Sequence, residues 1–285
     1  MFDANTLPHL PGAIGVFDSG VGGLSVLRSI RTALPREPLI YVADSGFAPY
    51  GDKSPEWIQD RSTQILDFLI AQQCKAIVIA CNTASVVAAK LLRARYSLPI
   101  IAIEPAIKPA AQQSKNGVIA LMATTRTISS PQIHRLCQLH AADKQVILIP
   151  CPGLAEQVES GELDHDELPQ YLSVKLRPAL EQGADTLVLG CTHYPFLLPQ
   201  IQAIVGSSMH IIEPSEAVAA QVQRKLLLLP TNTHAQAAAQ LQVWTSAPDN
   251  KAILKRYLQT PTAHIYTLPA HLLPPAIPVH APSPC

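Results

Sequence analysis

The chain has 285 residues, enough to bury a large core, and this length favours two lobes over one compact unit. Its 21 basic and 21 acidic side chains leave no net field to attract nucleic acid or an anionic membrane, which favours a small-molecule substrate. No apolar run approaches the roughly 20 residues of a membrane span, and Met1–Asn5 lack the basic and apolar regions of a signal peptide. We therefore expect a cytoplasmic protein without a membrane or nucleic-acid partner.

Strand-like apolar runs alternate with helix-like segments in two successive series. The first series comprises Ile14–Phe17, Leu39–Val42, Ala76–Ala80 and Ile100–Ile103, and the second comprises Val118–Met122, Val146–Ile149 and Thr186–Leu189. Between the second and third runs, apolar residues from Ile58 to Leu69 recur at helical spacing and predict a crossover helix. The repeated order predicts an α/β fold of two pseudo-symmetric, doubly wound lobes with mainly parallel sheets and an active site in the cleft between them.

Two Glu-Pro pairs suggest where the chain crosses between the lobes. Glu104-Pro105 and Glu213-Pro214 each follow a strand-like run, and proline disfavours helix in the residue before it. We expect lobe one to contain residues 1–104 and 213–266, and lobe two to contain residues 105–212. Residues 267–285 are rich in proline and almost uncharged, which predicts an extended tail without chemistry.

Two cysteines, Cys81 and Cys191, each stand at the end of a buried strand-like run and precede hydrogen-bonding residues. A single buried cysteine is usually an inert small hydrophobe. Because the carboxyl ends of parallel strands form the edge where ligands bind, two such thiols are predicted to face one another across the cleft. Opposed thiols can take and give one proton. None of the six cysteines forms a Cys-x-x-Cys pair, and we expect them to be reduced.

Ionisable residues follow the same strands. Asp18 lies in a glycine-rich turn, where it is predicted either to bind a substrate ammonium or proton or to cap the next helix. His193 is near enough to lower a thiol pKa or to join Cys81 and Cys191 as a zinc ligand if the lobes close. Asp44 lies about where a dinucleotide-binding fold has its ribose ligand, but the glycine spacing does not fit that motif.

Four motifs resemble those of the glutamate racemases in the aspartate/glutamate racemase family. They are Val16–Leu24, Pro49–Ser54, Ala80–Ser85 and Gly190–Pro195, and the resemblance extends from about Ile14 to Leu258. It implies a cofactor-independent racemase in which Cys81 and Cys191 act as acid and base. By the same resemblance, Asp18 and His193 assist the cysteines, and Glu159 fills a further acidic position.

The resemblance also implies a substrate and its contacts. The substrate would be glutamate, and the product D-glutamate would be destined for bacterial peptidoglycan. The implied substrate contacts are Asp18, Ser19, Pro49, Tyr50, Gly51, Asn82, Thr83, Thr192 and His193. No metal is implied. A homodimer and activation by a cell-wall precursor are left open, and the segment before Ile14 is shorter than in family members that have a long extension and need such an activator. Phe47 and Ala48 stand where many members carry an arginine.

Other functions remain compatible with these residues. The cysteine pair indicates the reaction rather than the substrate's side-chain length, so a racemase for aspartate or a hydantoin is the nearest alternative. A non-catalytic amino-acid-binding protein would also have two α/β lobes around a cleft. A zinc-dependent hydrolase would lose its activity to a chelator.

Overall fold

The computed structural model describes residues 9–163, 167–229, 240–260 and 263–275. In this part of the chain, ten strands form two sheets in which every paired neighbour is parallel. The strands are β1 (Ile14–Asp18), β2 (Leu39–Ala43), β3 (Ala76–Ile79), β4 (Ile100–Ala102), β5 (Val118–Ala123), β6 (Gln145–Pro150), β7 (Thr186–Leu189), β8 (His210–Ile212), β9 (Leu241–Thr245) and β10 (His264–Thr267).

Helices connect the strands and cover the faces of both sheets. They are α1 (Leu24–Ala33), α2 (Pro55–Ala71), α3 (Asn82–Arg95), α4 (Ile107–Gln113), α5 (Thr125–Ile128), α6 (Pro131–His140), α7 (Leu154–Ser160), α8 (Glu167–Glu181), α9 (Leu198–Val205), α10 (Ser215–Leu226) and α11 (Lys251–Leu258). The crossover helix predicted around Ile58–Leu69 is α2. Ser54 begins this helix by accepting a hydrogen bond from the Trp57 amide, and Pro55 occupies its first position, where proline is favoured.

Four neighbouring strands follow the same order in both sheets, which confirms the predicted α/β fold with two pseudo-symmetric halves. The six-stranded sheet has the order β10-β9-β2-β1-β3-β4, and the four-stranded sheet has the order β6-β5-β7-β8. Removing β10 and β9 leaves the same arrangement in both. Strands β1, β3 and β7 are buried along their whole length, because helices lie on both faces of a parallel sheet. Their near-continuous apolar sequences follow from this position.

The distribution of strands supports the lobe boundaries, which we retain as a proposal. Strands β1–β4, β9 and β10 belong to one sheet, and β5–β8 belong to the other. Glu104-Pro105 and Glu213-Pro214 therefore lie between elements of different sheets. The strand-like run before Glu213 is β8, whereas β9 and β10 were not predicted. None of the described helices is both long and apolar enough to cross a membrane.

The expectation of an extended, unpacked tail after residue 266 is wrong for the part that the structure describes. Leu268 and Leu272 are buried in the core of lobe one, and the Leu268 amide donates to the Thr245 carbonyl at 2.9 Å. Leucines spaced between the prolines supply the apolar contacts that the overall composition obscured. Residues 276–285 lie outside the described residues.

Candidate active site

Cys81 and Cys191 line one small cavity between the two sheets. Its walls are formed by Ser19, Ala48, Pro49, Tyr50, Gly51, Cys81, Asn82, Thr83, Thr124, Ala155, Glu159, Cys191, Thr192 and His193. The cavity volume is only about 10 Å³, which is about the space of one water molecule. The cleft is therefore closed in this structure. Every predicted site residue except Asp18 lies on the cavity wall.

Cys81 follows β3 and caps α3. Its sulfur accepts a hydrogen bond from the Ala84 amide at 3.4 Å, and its thiol donates to the Ser19 hydroxyl at 3.4 Å. Burial, reinforced by the negative charge of Asp18, raises the pKa of Cys81 to about 12 against the opposing effect of these hydrogen bonds. Cys81 is therefore a protonated thiol in the closed cleft, with a proton to give.

Cys191 follows β7 and has an ionisable partner. Its sulfur lies 3.6 Å from His193 Nδ1, and His193 Nε2 lies 2.6 Å from Glu159 Oε1. Burial disfavours the charged imidazole, but the hydrogen bonds and negative charges of Cys191 and Glu159 outweigh it and raise the His193 pKa well above its ordinary value. A positive imidazolium therefore lies against the Cys191 sulfur.

Asp18 lies behind the cavity wall, where it connects the two lobes. Its Oδ1 accepts the Gly20 amide at 2.9 Å, and its Oδ2 accepts the Thr192 hydroxyl at 3.0 Å. The side chain is fully buried, and burial is the main reason why its pKa is raised, although His193 opposes the shift. Asp18 does not cap α1, because Gly23 holds the cap position without a side-chain bond.

The glycine-rich turn after β1 lets lobe two approach the backbone of lobe one. A Cβ on Gly20 would lie 1.7 Å from Glu159 Oε1, and a Cβ on Gly22 would lie 2.6 Å from His193 Nδ1. The Val21 amide donates to Glu159 Oε1 at 2.6 Å, and the Ser45 hydroxyl donates to Oε2 at 2.9 Å. Glu159 therefore joins the glycine turn of one lobe to the histidine of the other.

Neutral donors surround the remaining space. The two polar atoms of the Asn82 amide are buried without a hydrogen-bond partner, an arrangement that is costly unless a ligand supplies one. The Thr83 hydroxyl lies 3.0 Å from that of Thr124, which joins lobe one to lobe two. Asn82 and Thr83 also begin α3, where the first backbone amides have no partner within the helix and face negative charge favourably. The cavity can hold carboxylates with these neutral donors, and no lysine or arginine lies among the described residues of its wall.

Sequence analysis missed Thr124 and Ser45. Register places Thr124 directly after β5 at the position that Ser19 holds after β1, so the internal symmetry was a usable signal. Ser45 carried no such signal, because its partner Glu159 is distant in sequence.

The structure also bears on the cofactor alternatives. The Asp44 carboxylate is fully buried and is occupied by Arg61 and Tyr50, which leaves no oxygen turned toward a ribose. Among the described residues, no group of three or more His, Cys, Asp or Glu side chains is arranged to hold a metal ion. The larger surface grooves of the described chain contain neither Cys81 nor Cys191.

Known proteins are similar in sequence to this chain over most of their length. Residues 14–222 match the family model of Asp/Glu/hydantoin racemases. A glutamate racemase of Pseudomonas aeruginosa is 49% identical over 236 residues, which cover 82% of this chain and 89% of the relative. A glutamate racemase of Ectopseudomonas mendocina is 51% identical over 214 residues, 75% of this chain and 81% of the relative.

A solved structure agrees with these sequence matches. The crystal structure of Escherichia coli glutamate racemase, in complex with L-glutamate and the activator UDP-MurNAc-Ala, is 31% identical in sequence. It superimposes with a TM-score of 0.82, covering 91% of this chain and 98% of that one. The family match covers well over half of the sequence. The chain belongs to the Asp/Glu/hydantoin racemase family.

Proposed function

We propose that this protein is a cofactor-independent glutamate racemase that interconverts L- and D-glutamate by two-base transfer of the α-proton. The observation that carries the proposal is that Cys81 and Cys191, from equivalent positions in the two lobes, line one cavity with unlike partners. The similarity to glutamate racemases supports glutamate as the substrate.

The two thiols begin in opposite protonation states. Cys81 keeps its proton because it is buried beside the Asp18 carboxylate, whereas Cys191 lies beside the positive imidazolium of His193. Cys191 then removes the α-proton from one face of the substrate, and Cys81 delivers a proton to the other face. For the opposite enantiomer the roles reverse. Because the groups interact through the substrate, pH profiles report properties of the whole site.

The carbanion that forms at the α-carbon needs stabilisation from the protein. Its negative charge spreads into the α-carboxylate, which we place against the free amides at the start of α3 and the unpartnered Asn82 side chain. Donors already fixed in a closed, water-poor cleft stabilise this charge more strongly than water does. The hydroxyls of Ser19 and Thr83 can donate to the two carboxylates, and the Thr192 oxygen, whose proton goes to Asp18, can accept from the ammonium group.

His193, Glu159 and Asp18 act by position and charge. Glu159 holds the imidazole through Nε2, which directs Nδ1 toward Cys191. Asp18 fixes the Thr192 hydroxyl and the turn that carries Ser19. The cavity is too small for glutamate, so the lobes must separate for the substrate to enter and the product to leave.

The cellular setting belongs to the same proposal. D-Glutamate would supply bacterial peptidoglycan synthesis in the cytoplasm. The Escherichia coli structure contains the activator UDP-MurNAc-Ala, and we include activation by such a cell-wall precursor and assembly into a homodimer as points to test. Activity with and without the precursor, and the mass in solution, resolve both.

The decisive experiment follows L-glutamate in D₂O with EDTA and no added cofactor, recording optical rotation together with loss of the α-proton signal. Racemisation with one deuterium entering at the α-carbon supports the proposal. Faster turnover of L-aspartate under the same conditions assigns the substrate to the nearest alternative. Binding without exchange at the α-carbon contradicts a racemase and favours an amino-acid-binding protein, provided that added UDP-MurNAc-Ala does not restore exchange.

A further inference from the structure

The wall of the cavity formed by Pro49–Gly51 is held from behind by a buried hydrogen-bond network. The Tyr50 ring is buried and meets Trp57 edge-on at 5.3 Å. Its hydroxyl donates to Asp44 Oδ2 at 2.6 Å and so points away from the cavity. The position of this wall therefore depends on where the Asp44 carboxylate is held.

Arg61 of α2 holds that carboxylate. Its Nε donates to Asp44 Oδ2 at 2.8 Å, and its Nη2 donates to Oδ1 at 2.6 Å. The guanidinium also lies 4.1 Å from the centre of the Phe47 ring. Both charged side chains are almost completely buried, so each needs its full set of partners to offset the loss of water.

Besides Gln64 of the same helix, Arg61 has a partner in the C-terminal segment, residues 268–274. Arg61 Nη2 also donates to the Leu272 carbonyl at 2.7 Å. Gly46 lies against the same segment, since a Cβ there would be 2.8 Å from Pro274 Cγ. The family model ends at residue 222, so this support comes from outside the matched residues.

We infer that the C-terminal segment, acting through Arg61, positions the Pro49–Gly51 wall for substrate binding. The inference rests on the proposed function for its substrate. Without the Leu272 carbonyl, a buried donor of Arg61 loses its acceptor and water reaches the ion pair. Asp44 and Tyr50 then lose their fixed geometry, and the wall loosens where the substrate binds. The segment touches no substrate, so it affects binding more than the proton transfers.

The test compares two shortened chains. A chain ending at Pro269 keeps the buried Leu268 but lacks Leu272, and a chain ending at Pro275 keeps every contact named here and is the matched control. We expect the shorter chain to show a KM for both glutamate enantiomers about tenfold above that of the control, with kcat within about threefold. The glutamate Kd from calorimetry should rise by the same factor.

A point variant keeps the inference testable if the shorter chain does not fold. Arg61→Lys retains the charge, but one ammonium cannot make the forked contacts to Asp44 and still reach Leu272. It should raise KM as the truncation does, whereas Arg224→Lys, at an exposed arginine, should not. In the shorter chain Arg61→Lys should add less than twofold, because both changes break the same contact.

Two results overturn the inference. One is a KM and Kd within twofold of the control in the Pro269 chain, or in Arg61→Lys where that chain does not fold. The other is a fall in kcat with KM unchanged, which indicates a loss of folded enzyme. If the full chain binds glutamate but does not racemise it, the proposed function fails while the Kd values still decide the role of the segment.

Discussion

Equivalent positions in the two lobes carry the same thiol but different neighbours. Register aligns β1 with β5 and β3 with β7, so Cys81 and Cys191 each lie two residues beyond the corresponding strand. At the position of Asp18 the second lobe has Ala123. The two lobes therefore have a thiol at the same position, but only lobe one has an acidic residue at the position of Asp18.

The difference separates a donor from an acceptor. Cys81 caps a 14-residue helix and bonds only to a hydroxyl and an amide, with a carboxylate nearby. Cys191 precedes a short 3₁₀ turn, Tyr194–Leu197, and lies beside a histidine that a carboxylate orients. Two similar frames can thus hold two thiols in opposite protonation states, as a two-base reaction requires.

Removing either thiol should have the largest effect. Cys81→Ala and Cys191→Ala should each lower the rate of glutamate racemisation by at least about 1000-fold, because one face of the substrate then lacks its proton carrier. Optical rotation measures the rate, and Cys74→Ala, at a buried thiol away from the cavity, is the control. More than a tenth of the normal rate in either variant contradicts the two-thiol mechanism.

Substitutions of His193 and Glu159 should show that the two thiols have different roles. His193→Asn should lower kcat about 100-fold, and Glu159→Gln about tenfold, because the first removes the imidazolium and the second removes only its orienting partner and one of the two negative charges that raise its pKa. The enantiomers have equal free energies, so kcat/KM must stay equal in both directions. We therefore look for unequal primary deuterium isotope effects in His193→Asn. Equal isotope effects, with an unchanged kcat, remove the proposed asymmetry.

Pushing the lobes apart should weaken binding without removing either thiol. Gly22→Ala places a Cβ against His193 and Thr192, and we expect KM to rise about tenfold. Gly183→Ala is the control for backbone strain, because Gly183 has a φ of +73° and open space around it. This variant should lose only about 1 kcal/mol of stability. A normal KM in Gly22→Ala shows that the close approach is dispensable.

In stability, unlike chemistry, the lobes should behave alike. Burial raises the pKa of Cys81 in lobe one and of Cys151 in lobe two to about 12. An unfolded thiol loses its proton above about pH 8.5, while the folded thiol keeps it, so the free energy of unfolding falls as pH rises from there to about 12.

Cys81→Ala and Cys151→Ala should each make this fall shallower, by up to about 1.4 kcal/mol per pH unit. Urea unfolding at pH 8, 9 and 10 measures it. The residual slopes of the two variants should agree. A slope equal to that of the unchanged chain in either variant shows that the corresponding thiol is not held protonated.

Local patterns predicted the frame and both thiols, whereas the resemblance to a known family supplied most other residues of the cavity wall. Continuous apolar runs mark strands buried on both faces, and the polar residues that end them lie at one edge by geometry alone, which is why Cys81, Cys191 and His193 were found. Strands β9 and β10 were missed because polar residues such as Gln242 and His264 leave them without a continuous apolar run.

What the sequence could not show depends on pairing across long separations. Arg61 looks like an ordinary charged residue of an amphipathic helix, yet it is buried against Asp44 and a carbonyl 211 residues away. The partner of Glu159 at Val21 lies 138 residues away. No local spacing encodes such contacts, because these residues are close to one another only in the folded chain.

Because the cleft is closed, chemical modification of its two thiols can measure how often it opens. A thiol reagent larger than water cannot reach either cysteine while only about 10 Å³ is free around them. The alkylation of Cys81 and Cys191 therefore proceeds only during the intervals when the lobes are apart. The ratio of this alkylation rate to that of the same thiols in the unfolded chain measures how often the cleft opens. A ligand that holds the lobes together lowers the rate.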